Sequence, residues 1–480
     1  MNYKMIRNIL GWILLFEAAF MSVPLATALI CREWKEALTF VGVILLCAAV
    51  GGIFVRFKAS NKALYAKEGF VVVSLSWIVL SLFGALPFVL SGHIPNYIDA
   101  LFETASGFST TGASILTDVE ALPYSLLMWR AFTHWVGGMG VLVFLIAFLP
   151  LSGGQNMNIM KAESTGHSVG KLVPRVRTTA MLLYSIYLLF TFVQFILLLF
   201  GGLSVFEALT ISFSTAGTGG FSTLNTGFSN YSTYVQIVVA VFMLLCSINF
   251  NSYFLLWRRK PREAFNSEVR TFLFIVACAV ALITIDICTS NAALSVGDGL
   301  LQAFFSVSSI ISTTGFASVD FNLWPVLSKV IIVMLMFVGA CAGSTGGGIK
   351  VSRFLIAFKS IVREISAQLH PRQVNKATVD GRGVDYRAER SVLVFFLAYI
   401  FVFSLSLLLI CVDGKDLATN FTAVGAMLTN TGPGLSEVGP MGNYAGFSSF
   451  SKIVLVFDML AGRLELFPML LLFSPKTWKK

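Results

Sequence analysis

Charge is what this sequence lacks most. Asp, Glu, Lys and Arg make up only 12% of its 480 residues, against about 25% in a soluble globular protein, and this excludes a water-soluble enzyme. Histidine is rarer still. His93, His134, His167 and His370 are the only four, too far apart in sequence to suggest a cluster, and no HExxH occurs, which argues against an intramembrane metalloprotease. The seven cysteines stand singly, mostly inside apolar runs, without a CxxC pair or a His at ligand spacing, and read as packing residues. No dinucleotide fingerprint is present, because Gly138-Met139-Gly140 lacks both the final Gly and a preceding strand. These absences leave no catalytic constellation and no organic cofactor site in this chain.

What the sequence has instead is apolar length. Hydrophobic residues reach 56% and the mean hydropathy is +0.81. Membrane-length segments of about 20 residues occur at 8–31, 37–56, 69–90, 124–150, 177–201, 231–257, 269–290, 324–358, 390–412 and 447–474. The expectation is an all-α polytopic membrane protein with ten spans, the first retained rather than cleaved as a signal peptide. The net charge of +10 would suggest nucleic acid or acidic lipid in a soluble protein, but here its distribution gives it another meaning. Basic residues crowd the N-terminus, the connections 56–67, 161–177, 258–270 and 359–390, and the C-terminus. The positive-inside rule makes these cytoplasmic, with both termini inside. They imply anionic lipid headgroups and no nucleic-acid partner. The alternate segments 91–123, 202–232, 291–324 and 413–446 hold ten acidic residues and one basic residue, Lys415. An acidic outer face concentrates cations.

Those four outer segments repeat one another. Each has a short apolar stretch and then small and polar residues ending in Gly: Ser109-Thr110-Thr111-Gly112, Ala216-Gly217-Thr218-Gly219-Gly220, Ser312-Thr313-Thr314-Gly315 and Asn430-Thr431-Gly432. From Ala100, Ala208, Ala303 and Asn420 the step to that Gly is twelve residues every time. One such cluster means little; four in one register, each between two spans, make an internal repeat. The unit is span, short descending helix, extended turn, span. Non-helical backbone at membrane depth survives only inside protein or along a water-filled path. Glycine reaches φ > 0 and lets successive carbonyls point one way, and rings of carbonyls replace the water shell of a monovalent cation. Threonine adds hydroxyl oxygen without charge. The helix ends direct their negative poles toward the same place. Four pseudo-repeated span–pore helix–span units around a central pore, plus two extra N-terminal spans, are therefore expected. The divisions fall at 1–67, 68–160, 161–262, 263–380 and 381–480.

At these residues the chain resembles the TrkH/KtrB potassium transporters, and its two extra spans resemble the TrkH branch. The resemblance covers essentially the whole chain. It implies K⁺ as transported ion and a filter at Thr110, Thr111, Gly112, Thr218, Gly219, Gly220, Thr313, Thr314, Gly315, Asn430, Thr431 and Gly432. It also implies uptake across the bacterial cytoplasmic membrane, a homodimer, and a cytosolic TrkA-type nucleotide-binding subunit. A secondary transporter coupling Na⁺ or H⁺ to another solute is the competing class, but inverted repeats would alternate in orientation.

The eighth expected span is interrupted from Gly339 to Lys350, with five glycines in twelve residues. A P-loop is excluded because no Ser or Thr directly follows the Lys and no strand precedes the loop. Either this is a kink for close packing or, as the resemblance implies, an intramembrane gate under the filter containing Gly343, Gly346, Gly347, Gly348 and Lys350. The last span carries Asp458, Arg463 and Glu465, charges that are costly at membrane depth unless paired or facing water. The resemblance implies that Arg463 is a gate residue touching that loop; the residues themselves also allow one half of an internal salt bridge with Asp458 or Glu465.

Overall fold

A computed structural model describes residues 1–56, 65–140, 176–290, 293–370 and 378–478. The basic connection at 161–175 and His167 lie outside these residues, as does the proposed division at 160/161. Among the described residues the chain is helical, apart from one two-residue hairpin pairing Thr378–Val379 with Arg382–Gly383. The first two spans, Tyr3–Ile30 and Trp34–Arg56, pack so closely that a Cβ on Gly11 would come within 2.9 Å of the Gly51 carbonyl oxygen, the small-residue contact expected between membrane helices.

Four similar units follow. Each opens with a helix long and apolar enough to cross a membrane: Lys67–Ser91, Ala180–Phe200, Ser267–Ser290 and Tyr386–Asp413. Each continues with a short one: Tyr97–Phe108, Val205–Ala216, Val296–Ile311 and Leu417–Thr429. At 12 to 16 residues and 1.5 Å per residue, none of the short helices could span the ~30 Å hydrocarbon core. Local chemistry fixes where they start. Asn96, Ser204, Ser295 and Asp416 each cap one, the side-chain oxygen accepting from a first-turn backbone N–H.

The closing helix of each unit is shorter than the expected span, and of the expected span 124–150 only 124–140 lies among the described residues. Six helices cross as expected, but the closing ones are short: Tyr124–Gly138, Thr233–Ser247, Val326–Val338 and Ser449–Arg463. The expected span 231–257 bends by 91° at Ile248–Asn249 before Phe250–Trp257. The Asn249 side chain caps the new helix. In the expected span 324–358 the loop 339–350 separates two helices, the second being Val351–Leu369. The last expected span breaks where Glu465 and Leu466 take φ of 57° and 66°, and a new helix begins at Phe467. Hydropathy registered the apolar length of these segments but not the direction of the chain. Three of the four closing helices break and resume among the described residues, while the first ends at Gly138, two residues before the described stretch stops.

Candidate functional site

The four turns share one backbone geometry. Two residues past the end of the first three short helices and one past the end of the fourth, Thr110, Thr218, Thr313 and Asn430 are left-handed, with φ of 57°, 52°, 59° and 55°. Two residues later Gly112, Gly220, Gly315 and Gly432 have φ of 79°, 86°, 83° and 93°. Between them, the N–H groups of Thr111, Gly219, Thr314 and Thr431 donate back to the carbonyls of Ser106, Ser214, Ser309 and Ala426 at 2.8–2.9 Å, closing each helix in the manner of a left-handed C-cap. Positive φ at the glycines was expected. At the residue two earlier it was not, since a β-branched Thr is a genuine outlier there, and only Asn430 is a residue type that favours the conformation. Three strained threonines at equivalent positions show that the surrounding packing determines these turns.

The turns close a ring. A Cβ on Gly112 would lie far inside van der Waals contact of the Gly219 carbonyl oxygen; on Gly220, of the Thr314 oxygen; on Gly315, of the Thr431 oxygen; on Gly432, of the Thr111 oxygen. Each glycine thus sits against the preceding carbonyl of the next repeat, and the fourth returns to the first. The outer loops repeat the same cycle. Val119 N–H donates to Asn225 Oδ1 at 2.8 Å, Phe228 N–H to the Ala317 carbonyl at 2.8 Å, Ser436 N–H to Asn322 Oδ1 at 2.9 Å, and Tyr444 N–H to the Ser114 carbonyl at 2.8 Å. All four glycines line one outward-facing cavity of about 170 Å³.

Side chains hold the ring from behind. The hydroxyls of Thr111, Thr314 and Thr431 lie 2.7–2.8 Å from those of Ser109, Ser312 and Thr429. In this structure those threonines tie each turn to its own helix, a role the sequence reading did not give them. The Tyr444 hydroxyl donates to the Gly432 carbonyl at 2.8 Å, and Asn430 Nδ2 donates to Thr111 Oγ1 at 3.0 Å. Glu103, counted from sequence with the acidic outer face, is buried. Its carboxylate accepts from Arg130 Nε at 2.7 Å, from the Ser114 hydroxyl and from the Ile115 N–H. Glu103→Gln leaves a buried guanidinium uncompensated, so we expect about 3 kcal/mol of destabilisation, read as a lower thermal midpoint in detergent.

Other acids remain at the outer face. Asp118 is held below the usual carboxylate range by its hydrogen bond from the Asn225 amide, and Asp416 by its bond from the Thr419 hydroxyl; both stay charged at neutral pH. Asp99 and Glu437 are partly offset by Lys452 and Lys415, at 2.6 and 2.5 Å.

Below the ring lies the loop 339–350. Gly347 N–H donates to Thr313 Oγ1 at 2.5 Å and Gly348 N–H to the Thr429 carbonyl at 2.8 Å, so the loop touches the inner ends of the third and fourth short helices. Its other side is held by the Cys246 and Ser247 carbonyls at the bend of the second unit, which accept from Thr345 and Cys341 N–H. The Glu268 carboxylate accepts from Ala342 N–H at 2.7 Å. Gly343 is engaged as well, its carbonyl accepting from Phe250 N–H at 3.0 Å. A Cβ on Gly346 would approach the Ser312 carbonyl oxygen to 2.8 Å. Lys350, buried, donates through Nζ to the Gly346 carbonyl.

Arg463 spans from this loop to the first unit. It donates to the Thr345 carbonyl at 2.8 Å and to the Gly137 and Gly138 carbonyls at 2.6 and 2.7 Å. The alternative of an ion pair with Asp458 or Glu465 is not what the structure shows: Asp458 accepts from the Ser406 hydroxyl at 2.7 Å and Glu465 pairs with Arg353 at 2.5 Å.

Three comparisons bear on this arrangement. Residues 36–480 match the TrkH family model, described as cation transport protein. The chain is 36% identical to the Trk system potassium uptake protein TrkH of Salmonella typhimurium over 487 residues, covering 100% of both chains. It is 30% identical to TrkG of Escherichia coli K12, covering 100% of this chain and 99% of that one. The crystal structure of the potassium transporter TrkH from Vibrio parahaemolyticus superposes with a TM-score of 0.90 at 32% identity, covering 100% of each.

Proposed function

Because this chain belongs to the TrkH family of cation transport proteins, we propose that it is a potassium uptake protein whose ion path runs through the ring of four turns. It is a multi-pass membrane protein, and its relatives are transporters rather than enzymes. The observation that carries the reading is the closure of the ring, each filter glycine lying against a carbonyl of the next repeat. Carbonyls held this way substitute for the water around a weakly hydrated monovalent cation. The four helix C-termini add negative potential from fixed dipoles, and the acidic outer face raises the local cation concentration. All four turns enter from the same side, which supports a channel-like pore over inverted repeats. Tracer flux in liposomes tests it: K⁺ is expected to enter faster than Na⁺, and protein that carries neither ion overturns the reading.

The loop 339–350 serves as the gate in this reading. It sits beneath the ring on hydrogen bonds that can be remade without unfolding a helix, and it is held from the side by Arg463.

The reading includes a homodimer in the bacterial cytoplasmic membrane, resting on a cytosolic TrkA-type nucleotide-binding subunit, with both termini inside. Contacts at one end of the molecule support the placement of the termini. Tyr3 Oη donates to the Trp478 carbonyl at 3.2 Å, Lys67 Nζ to that of Lys476 at 2.8 Å, and Asn2 N–H to Glu68 at 2.8 Å. The basic turn at Arg258, Arg259 and Lys260 is exposed and suits an acidic partner surface. Reversing these three charges is expected to reduce co-purification with the regulatory subunit several-fold at low salt and less at high salt. If the turn serves only lipid headgroups, pull-down at two ionic strengths shows no loss.

A further inference from the structure

The four turns are equivalent in backbone but not in how they are held. In the first, third and fourth, a hydroxyl on the residue before the glycine meets a hydroxyl two residues earlier: Thr111 with Ser109, Thr314 with Ser312, Thr431 with Thr429. In the second turn both positions are glycine, Gly219 and Gly217, and no hydroxyl pair can form. Something else occupies the space. A Cβ on Gly219 would fall inside the imidazole ring of His134, and a Cβ on Gly217 would fall against the His134 backbone carbonyl. His134 comes from the closing helix of the first unit, Tyr124–Gly138, and is fully buried.

Its ring makes two directed contacts. Nδ1 lies 2.8 Å from the Gly107 carbonyl oxygen at the end of the first short helix, and Nε2 lies 3.2 Å from the backbone nitrogen of Phe221, the residue that follows filter glycine Gly220. A carbonyl can only accept and an N–H can only donate, so the tautomer is fixed: Nδ1–H donates to Gly107, and Nε2 accepts from Phe221. The ring also packs on the Phe221 ring at 4.2 Å between centroids. One turn of helix away, Arg130 lies over the same Phe221 ring, 4.0 Å from its centroid, and donates to the Ser222 carbonyl at 3.3 Å.

We infer that His134 is the positioning residue of the second filter turn, its imidazole replacing in that repeat the hydroxyl pair that ties down the other three and linking the second turn to the first helix. The inference rests on the pore reading above and names a residue that sets ion preference without touching the ion. Hydroxyl pairs hold the other turns to their own helices. The second turn is instead held by a neighbouring repeat, so its carbonyl positions depend on a side chain more than eighty positions away in sequence.

The test is a reciprocal substitution. His134→Ala is expected to lower the K⁺/Na⁺ permeability ratio about fivefold to tenfold, the loss of one buried hydrogen bond from a filter strand. His134→Gln, which keeps an acceptor for the Phe221 N–H, is expected to retain more of the ratio. Gly219→Thr alone places a side chain where the ring stands and is expected to abolish flux. Gly219→Thr combined with His134→Ala vacates that space and is expected to recover K⁺ flux, because Gly219 does not have positive φ and accepts an L side chain there. All values are taken per folded protein. Should His134→Ala not fold, the comparison of Gly219→Thr with the double variant still decides. A wild-type ratio in His134→Ala protein that folds normally overturns the assignment, as does a His134→Gln ratio no higher than that of His134→Ala, or equal activity of Gly219→Thr with and without His134→Ala. Wild-type protein that carries no K⁺ fails the pore reading itself, whereas a selective wild type with indifferent variants fails only this inference.

Discussion

Serine in place of Gly112, Gly220, Gly315 or Gly432 is expected to abolish K⁺ flux or to cut its preference over Na⁺ by at least about tenfold, at all four positions alike. Two effects combine. Positive φ costs an L residue about 1 kcal/mol, which alone would be tolerated. The larger effect is steric, because the new Cβ meets a backbone carbonyl of the next repeat, and that carbonyl cannot swing away as the end of a flexible side chain can. Something in the ring must shift, and the group pushed aside is itself one of the oxygens proposed to coordinate the ion. About 1.4 kcal/mol lost selectively from one ion is a factor of ten. Gly202 and Gly414 supply the control. They have φ of 83° and 66° but no atom within 4 Å of an added Cβ, so serine there strains the backbone without touching the ring and is expected to leave the permeability ratio unchanged. Relative permeability in the six variants is the measurement, and unaltered selectivity in all four filter variants would sink the pore assignment.

Loosening the loop is expected to do the reverse. Arg463→Ala, or deletion of part of the stretch from Gly343 to Gly348, is expected to raise basal K⁺ flux per folded molecule by about tenfold. Arg463 is the bridge between Thr345 in the loop and the helix end at Gly137 and Gly138. Each hydrogen bond to a charged group contributes about 1.5–3 kcal/mol. Removing the guanidinium takes away the loop's tie to the first unit and leaves it held by bonds to the second, third and fourth units alone, with the Cys246 and Ser247 carbonyls, Glu268, Thr313 and the Thr429 carbonyl as acceptors. The alternative, a Gly-rich hinge that serves packing, makes the opposite forecast: shortening it lowers the folded yield while flux per molecule stays level. Normalised flux separates the two, and a value unchanged or lower in both variants would count against the gate.

The sequence by itself determined the class of protein and the register of its repeat. Low charge and long apolar runs can be accommodated only in a bilayer, and glycine at one spacing four times marks four equivalent backbone turns. The N-caps Asn96, Ser204, Ser295 and Asp416 were equally local, each acting on a backbone N–H within its own first turn. Tertiary structure decided the rest, because it depends on which distant groups meet. Hydropathy averages over about twenty residues and so merged Thr233–Ser247 with Phe250–Trp257, although the chain turns by 91° between them. Arg463 read equally well as an ion-pair partner of its sequence neighbours, until the fold placed three carbonyls from two other units around its guanidinium. Glu103 counted as surface charge until Arg130 buried it. The left-handed threonines and the imidazole of His134 carry no local signature at all. A β-branched residue enters positive φ only when the surrounding ring leaves it nowhere else to go, and a histidine becomes a strut only when its own repeat presents a carbonyl on one side and the next repeat an N–H on the other.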